Sequence, residues 1–434
     1  MKKLLSLALV LLFVLSLAAC SPAAPGAADK TPGASGGKDG NAVELVVWGH
    51  QEESWNASYR AIADAFMAEN PDIRIKYEFF PYDDFESKVQ TSLISKSGGA
   101  DVYEIWGGWG VDYASTGALA AMPDAMADEI RHDAYPCTYG ALEYGGKLYG
   151  MPMEFNIECG GLLVNNKLLA ANNLAVPATW DELIAEAKKA VVTENGVMTT
   201  KGFDFVGWDG VPYLFTSMIL SQGGNYLNDD GSFNFTSAEA KRAFSALADL
   251  VLKDGVTDLT GLTEQNLEGY QQLFADQAVF VPRGPWSIAE GISTFGLTYD
   301  KEFSYVPMPW YGEKAAFAAE TGWAFAVSAS SAKQEAAFRF LDYFFSDSVI
   351  MRNNVACGQI PAKKSVAQSA EYLEQFPYAE PLVGILDQAQ FIGYFNTDQF
   401  KEIINGVFLD YCTGGIYASV DDAMASLETK LSEM

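Results

Sequence analysis

The chain has 434 residues, 49% hydrophobic, 13% aromatic and 19% charged, with a formal net charge of -28 at neutral pH. That length exceeds what one hydrophobic core serves, so two domains are expected. The acidic excess argues against a nucleic-acid partner, which needs basic neutralisation of phosphates, and two histidines cannot build a multi-histidine metal site.

Lys2 and Lys3 precede an apolar run from Leu4 to Leu17 that two serines interrupt. It is too short for an ordinary membrane span and is followed by small residues, so residues 1–19 are expected to be a secretory signal. The ending Leu17-Ala18-Ala19-Cys20 resembles the bacterial lipobox. That implies cleavage before Cys20, lipid on its sulfur, and tethering to the outer face of the cell membrane. Residues 20–41 carry no large apolar side chain and are expected to be a flexible tether. Within it, Gly33-Ala34-Ser35-Gly36-Gly37 matches the nucleophile-elbow pattern of hydrolases only formally, because no strand precedes it and no helix follows. Cys137, Cys159, Cys357 and Cys412 contain no Cys-x-x-Cys pair. Buried free thiols are the plainer expectation for them, although export would permit disulfides.

Glu44 to Trp48 reads as a strand, followed by a helix with Tyr59, Ile62, Ala63, Phe66 and Met67 on one stripe and Asn70-Pro71 as its stop. Ile73, Ile75, Tyr77 and Phe79 alternate with charged residues as a second strand. Asp84 is expected to cap a helix carrying Phe85, Val89 and Leu93, closed by Gly98-Gly99. A third strand, 101–106, then reads as emptying into a loop with Trp106 and Trp109 set among glycines. Alternation of this kind predicts a doubly wound α/β domain, whose ligands lie beyond the carboxyl ends of the strands.

A crossing between domains is expected near Met153-Glu154-Phe155-Asn156, ahead of an apolar strand through Val164. Thr179-Trp180-Asp181-Glu182 is a capping box. Further helices are expected near Tyr213 to Ser221 and from about Ala238 to Asp254, with Asn228-Asp229-Asp230-Gly231 as a plain turn. The strand Ala278 to Val281 ends in Pro282-Arg283-Gly284-Pro285-Trp286, and a strand over Thr321 to Ser328 is entered through Gly322-Trp323. A helix with Ala337, Phe338, Leu341, Phe344 and Phe345 follows, and more amphipathic helices run to Met434. Indoles at strand ends beside carboxylates and amides suit a pyranose, which offers an apolar C–H face and a rim of hydroxyls. Trp106, Trp109, Tyr213, Trp286 and Trp323 are the candidate faces. Gln51, Glu52, Glu154, Asn156 and Arg283 are the candidate rim.

Several segments, taken together in order, carry a resemblance. They are the lipobox, Pro81-Tyr82-Asp83-Asp84-Phe85, Trp106-Gly107-Gly108-Trp109, Lys147-Leu148-Tyr149-Gly150-Met151-Pro152, Asn166-Lys167, Pro177-x-Thr179-Trp180-Asp181-Glu182-Leu183, Gly284-Pro285-Trp286, Thr321-Gly322-Trp323 and Ile360-Pro361-Ala362. Over about residues 43 to 365 the chain resembles the extracellular solute-binding lipoproteins of bacterial ABC importers, in the sugar-binding group of the maltose-binding protein family. The resemblance implies a periplasmic-binding-protein type II fold: two doubly wound α/β lobes joined by hinge crossings. The lobes are expected at 42–153 plus 324–365 and 154–323 plus 366–434. It also implies capture of a carbohydrate, delivery to an ABC importer permease, and no catalysis. A monomer without a cofactor is expected.

By position, the resemblance makes Trp286 the stacking ring of the second lobe, with Tyr213 beside it. It makes Trp106 the aromatic of the first lobe, and Glu154 or Asn156 the polar groups at the hinge. Extra residues between Asn156 and Gly160, among them Glu158 and Cys159, leave open whether Glu154 or Glu158 faces the cleft. The alternatives are a non-sugar ligand and a lipid-anchored glycosidase. The glycosidase would need two carboxylates across a glycosidic bond, and Ile157 and Cys159 give the pair Glu154 and Glu158 no sign of a water-activating site.

Overall fold

The computed structural model describes residues 42–95, 98–263 and 268–434. The expected signal, Cys20 and tether lie outside the described residues. The first alternation forms strand β1 (Val43–His50), helix α1 (Glu53–Glu69), strand β2 (Ile73–Phe80), helix α2 (Tyr82–Ser95) and strand β3 (Val102–Trp106). Both β2 and β3 pair with β1 in parallel, so each helix is a crossover.

Helix α1 starts where it does because the Glu52 carboxylate accepts the Trp55 N–H at 2.8 Å and occupies one of the orphan donors of the first turn. Tyr59, Ile62, Ala63 and Phe66 then recur at helical spacing on the buried face. Asn70 ends it by returning its backbone N–H and its side-chain amide to the Phe66 carbonyl. Truncating a buried ring of that kind costs roughly 3–5 kcal/mol, which is why the stripe fixes the helix against the sheet. Helix α2 begins at Tyr82, directly after Pro81, so Asp84 lies in its first turn instead of capping it. A carboxylate there still suits the positive end of the helix dipole.

The first sheet runs β2, β1, β3, Trp323–Val327, Met151–Pro152, the last two antiparallel to their neighbours. A second five-stranded sheet runs Phe303–Pro307, Gly161–Asn165, Ala278–Pro282, Val197–Phe203, Val192–Glu194. The capping box at Thr179 and Glu182 opens Trp180–Ala190, which packs on Val197–Phe203. A Cβ at Gly202 would lie 2.1 Å from the Ala187 carbonyl oxygen, so only glycine allows that approach. A third sheet of four short strands joins the two regions: Ile360–Pro361, Glu154–Asn156, Phe317–Thr321, Ala389–Phe391. Of the strand expected over Thr321 to Ser328, Trp323–Val327 forms in the first sheet, whereas Thr321 ends Phe317–Thr321 in the third, with Gly322 at the break.

One hydrophobic cluster surrounds β1, β3, α1 and the helix Gln334–Phe345, and it extends to Phe274, Phe303 and Tyr305. The other surrounds the helices Gly210–Ser221, Ala238–Leu252 and Asp398–Thr413. The architecture is a two-lobe α/β fold. Cys137, Cys159, Cys357 and Cys412 are buried and free. Among the described residues no helix is long and apolar enough to cross a membrane.

Candidate ligand-binding site

A cleft of about 850 Å³ opens where the carboxyl ends of β1 and β3, the crossing strand Glu154–Asn156 and the turn before Trp286 converge. Chain direction explains the place: parallel strands joined by helices leave their loops and helix N-termini at the carboxyl end. Strand β1 delivers His50, Gln51 and Glu52 to the rim, and β3 delivers Trp106. Immediately after it the chain turns into the helix Gly107–Ser115, not the loop expected there. The two glycines serve close approach: a Cβ on Gly108 would fall 1.9 Å from the Trp106 ring, and one on Gly107 would fall 2.2 Å from the Thr321 carbonyl oxygen.

On this side the rings hold one another. His50 stacks on Trp323 at 4.5 Å and 24°, and Trp109 meets Trp323 edge-on at 5.8 Å. Beneath them Glu104 is wholly buried. Its two oxygens accept the His50 backbone N–H and Nδ1 at 2.9 Å each, and the Tyr59 hydroxyl at 2.7 Å. Burial opposes a charged His50, yet the Glu104 carboxylate outweighs it and raises the imidazole above its ordinary value.

The crossing strand supplies the floor. Glu154 and Asn156 are two residues apart and so share a face of the strand. The Glu154 Oε1 accepts the Trp323 backbone N–H at 3.0 Å, an approach that Gly322 allows because a Cβ there would sit 2.5 Å from that oxygen. The Glu154 Oε2 is buried without a partner, as is the Asn156 Oδ1. Burial first, then Glu320, Glu104 and Glu158, push the Glu154 carboxyl up to about 8. Opposite Asn156 in register, Glu320 accepts its amide at 2.6 Å and also bonds Tyr213 and Asn396. Burial lifts Glu320 to about 7, against the pull of Lys401.

The far wall is built on a tight turn. The Gly284 α-carbon passes so close that a Cβ would lie 2.5 Å from Trp286 Nε1 and 3.1 Å from Asn156 Oδ1. Trp286 then opens a helix, and its Nε1 donates to Glu158 at 3.0 Å. The Arg283 guanidinium lies 4.9 Å over the Trp286 ring and is drawn by Glu268 at 2.5 Å, Asp209 at 3.3 Å and Glu158 at 3.8 Å. Lys401, from the helix Asp398–Thr413, reaches Asp209 at 2.8 Å and sits 4.6 Å over the Trp106 ring.

Of the ten side chains expected at a ligand, nine line this one cleft; the exception is Tyr213. It is fully buried in the helix Gly210–Ser221, and its hydroxyl holds Glu320 from behind instead of facing the cavity. Both Glu154 and Glu158 line the cleft, the residues 157–160 closing a tight turn with Gly160 N–H on the Ile157 carbonyl at 2.6 Å. Glu320, Glu104 and Lys401 belong to the site or its support without being among the expected residues. For the two carboxylates a signal existed: each interrupts an otherwise apolar strand, Val102–Trp106 or Phe317–Thr321. Lys401 arrives through packing of a late helix and has no local sign.

The sequence profile of the bacterial extracellular solute-binding proteins matches residues 49–351, and the chain belongs to that family. Three Brucella relatives described as binding proteins are 29% identical over 222 residues, which is 50% of this chain and 51% of each of theirs. The chain thus spans about half the length of these curated relatives. It is 26% identical to the diacetylchitobiose binding protein DasA of Streptomyces coelicolor, over 87% of this chain and 86% of that one. It is 23% identical to a maltotriose-binding protein of Pyrococcus abyssi, over 76% of this chain and 68% of that one. Among solved structures, the GacH receptor of Streptomyces glaucescens, studied unliganded and with acarbose, superposes with a TM-score of 0.71. That match has 22% identity and covers 89% of this chain and 97% of the receptor, and it shows the same fold.

Proposed function

We propose that this protein captures an oligosaccharide outside the cytoplasm and passes it intact to the permease of an ABC importer. The observation that carries the reading is the facing of indoles across one cleft, Trp106, Trp109 and Trp323 on one wall and Trp286 on the other, over a floor of unpartnered Glu154 and Asn156 oxygens. Ring faces take the apolar side of a pyranose and the floor takes its hydroxyls. Relatives named for maltotriose and diacetylchitobiose support the same class of ligand. The ligand set is Gln51, Glu52, Trp106, Trp109, Glu154, Asn156, Arg283, Trp286 and Trp323, with Tyr213 acting through Glu320. The lobes are residues 42–153 with 324–365, and 154–323 with 366–434. They close as a monomer tethered through lipid on Cys20.

The test is thermal unfolding against a panel of oligosaccharides. A ligand at a hundred times its Kd adds about 2.7 kcal/mol of stability, and the sugar should be recovered uncleaved. Trp286→Ala should weaken that binding by about 1–3 kcal/mol while the chain still folds. Silence across the panel, or an unchanged affinity in the variant, overturns the reading. Cys20→Ser should release the protein from membranes into the soluble fraction; continued retention refutes the anchor.

A further inference from the structure

The cleft is built for a positive charge. Nine of its lining side chains are carboxylates against two permanent cations, Arg283 and Lys401. Both cations are already spent within the wall, Arg283 on Glu158, Asp209 and Glu268, and Lys401 on Asp209. Among the described residues no cation reaches Glu154. Its carboxyl is 2% exposed, receives one backbone N–H, and leaves Oε2 buried without a partner beside the equally unpartnered Asn156 Oδ1. The Asn156 amide is oriented by its donation to Glu320, so the free atom there is an acceptor. A neutral hydroxyl can donate one hydrogen bond to such a floor. An ammonium donates up to three, accepts none, and supplies the counter-charge that lets Glu154, held up to about 8 in the empty cleft by burial and three neighbouring carboxylates, ionise against the ligand. The rings are suited to the same guest, since Arg283 and Lys401 themselves rest on the faces of Trp286 and Trp106.

Building on the sugar reading above, we infer that the ligand is a carbohydrate bearing a protonated amino group, seated with that group on the Glu154–Asn156 face of the crossing strand. The carbohydrate part fills the space between the indoles, and the amine sets the preference among sugars.

The experiment is calorimetric titration of the full chain at pH 6.5 with a glucosamine trisaccharide, its fully N-acetylated counterpart, maltotriose and spermidine. The free amine should bind about tenfold or more tighter than the N-acetylated sugar, and this advantage should shrink as salt is added. Glu154→Gln should reduce the ratio to less than about threefold. Equal or tighter binding of the N-acetylated sugar or maltotriose by the unaltered protein overturns the amine assignment and leaves the oligosaccharide reading standing. Spermidine binding more tightly than every sugar overturns both. The wild-type ratio needs no variant, so a folding defect in Glu154→Gln cannot mask the answer.

Discussion

Glu104 and Glu154 are both buried carboxylates within one contact of Trp323, yet they are surrounded in opposite ways. Around Glu104 every demand is met: two His50 groups and the Tyr59 hydroxyl occupy its oxygens, and no lining surface of the cleft belongs to it. Around Glu154 one oxygen holds the Trp323 backbone and the other meets nothing. A saturated buried carboxylate is a joint that ties β1, α1 and β3 together. A half-saturated one has been left with an interaction to make, and folding free energy is given up to keep it. The contrast separates scaffold from recognition within one wall of one cleft.

The most direct way to break that contrast is to remove each carboxylate in turn. Glu104→Ala strands the His50 Nδ1 and backbone N–H and the Tyr59 hydroxyl in a buried site, each orphan costing about 1–3 kcal/mol. Urea unfolding should therefore show a loss of about 3 kcal/mol or more. Glu154→Gln keeps an acceptor for the Trp323 N–H and puts a neutral amide where burial already holds the carboxyl up to about 8, so its stability near neutral pH should change by less than about 1 kcal/mol. If the two variants proved equally stable, the division into joint and recognition group would be wrong.

The same contrast should be visible in pH dependence. Glu154 is raised by burial to about 8, Glu320 by burial to about 7, and His50 is raised by Glu104. In all three the folded value lies above the unfolded one, so the folded chain binds more protons than the unfolded chain across this range. Their stabilising contribution is complete below the unfolded values and is lost as pH climbs through the folded ones. The melting temperature should accordingly fall between about pH 5 and pH 8.5, and Glu154→Gln should flatten the upper part of that fall. A melting temperature that rises over the interval contradicts the protonation scheme.

How much of this was legible in the sequence follows from what each element rests on. The order β1, α1, β2, α2, β3 could be read because period-two and period-3.6 patterns are local, and capping residues such as Thr179 and Glu182 mark their own helix. The third sheet could not be read. Ile360–Pro361 is two residues long and Glu154–Asn156 and Ala389–Phe391 are three each, too short to carry a period, and at the break a Cβ on Gly322 would lie 2.5 Å from the Glu154 Oε1. In the site, indoles next to glycine and proline announced themselves through turn chemistry. Tyr213 looked like one of them because it begins an apolar helix. Burial on all sides turned it into the residue that holds Glu320. Which oxygens of Glu154 and Asn156 stay free depends on partners more than a hundred and sixty residues away, Trp323 and Glu320.

The smallest expected effect concerns Glu52, a rim carboxylate that resembles Glu154 in lining the cleft and Glu104 in being engaged. Its Oε2 accepts the Trp55 N–H at 2.8 Å and the Ser54 hydroxyl at 2.6 Å, so that oxygen serves the first turn of α1. It also stands in solvent, where water can replace what is removed. Glu52→Ala should therefore cost about 1 kcal/mol of stability, the ordinary worth of an N-cap, read as a shift of the urea midpoint with unchanged slope. Sugar affinity should move by less than about twofold if capping is the whole of its work, because α1 keeps its tertiary packing through Tyr59, Ile62 and Phe66. An affinity loss of about tenfold, or 1.4 kcal/mol, with the same modest stability change would show that the second oxygen reaches the ligand, and would move Glu52 from the joint side of the comparison to the recognition side.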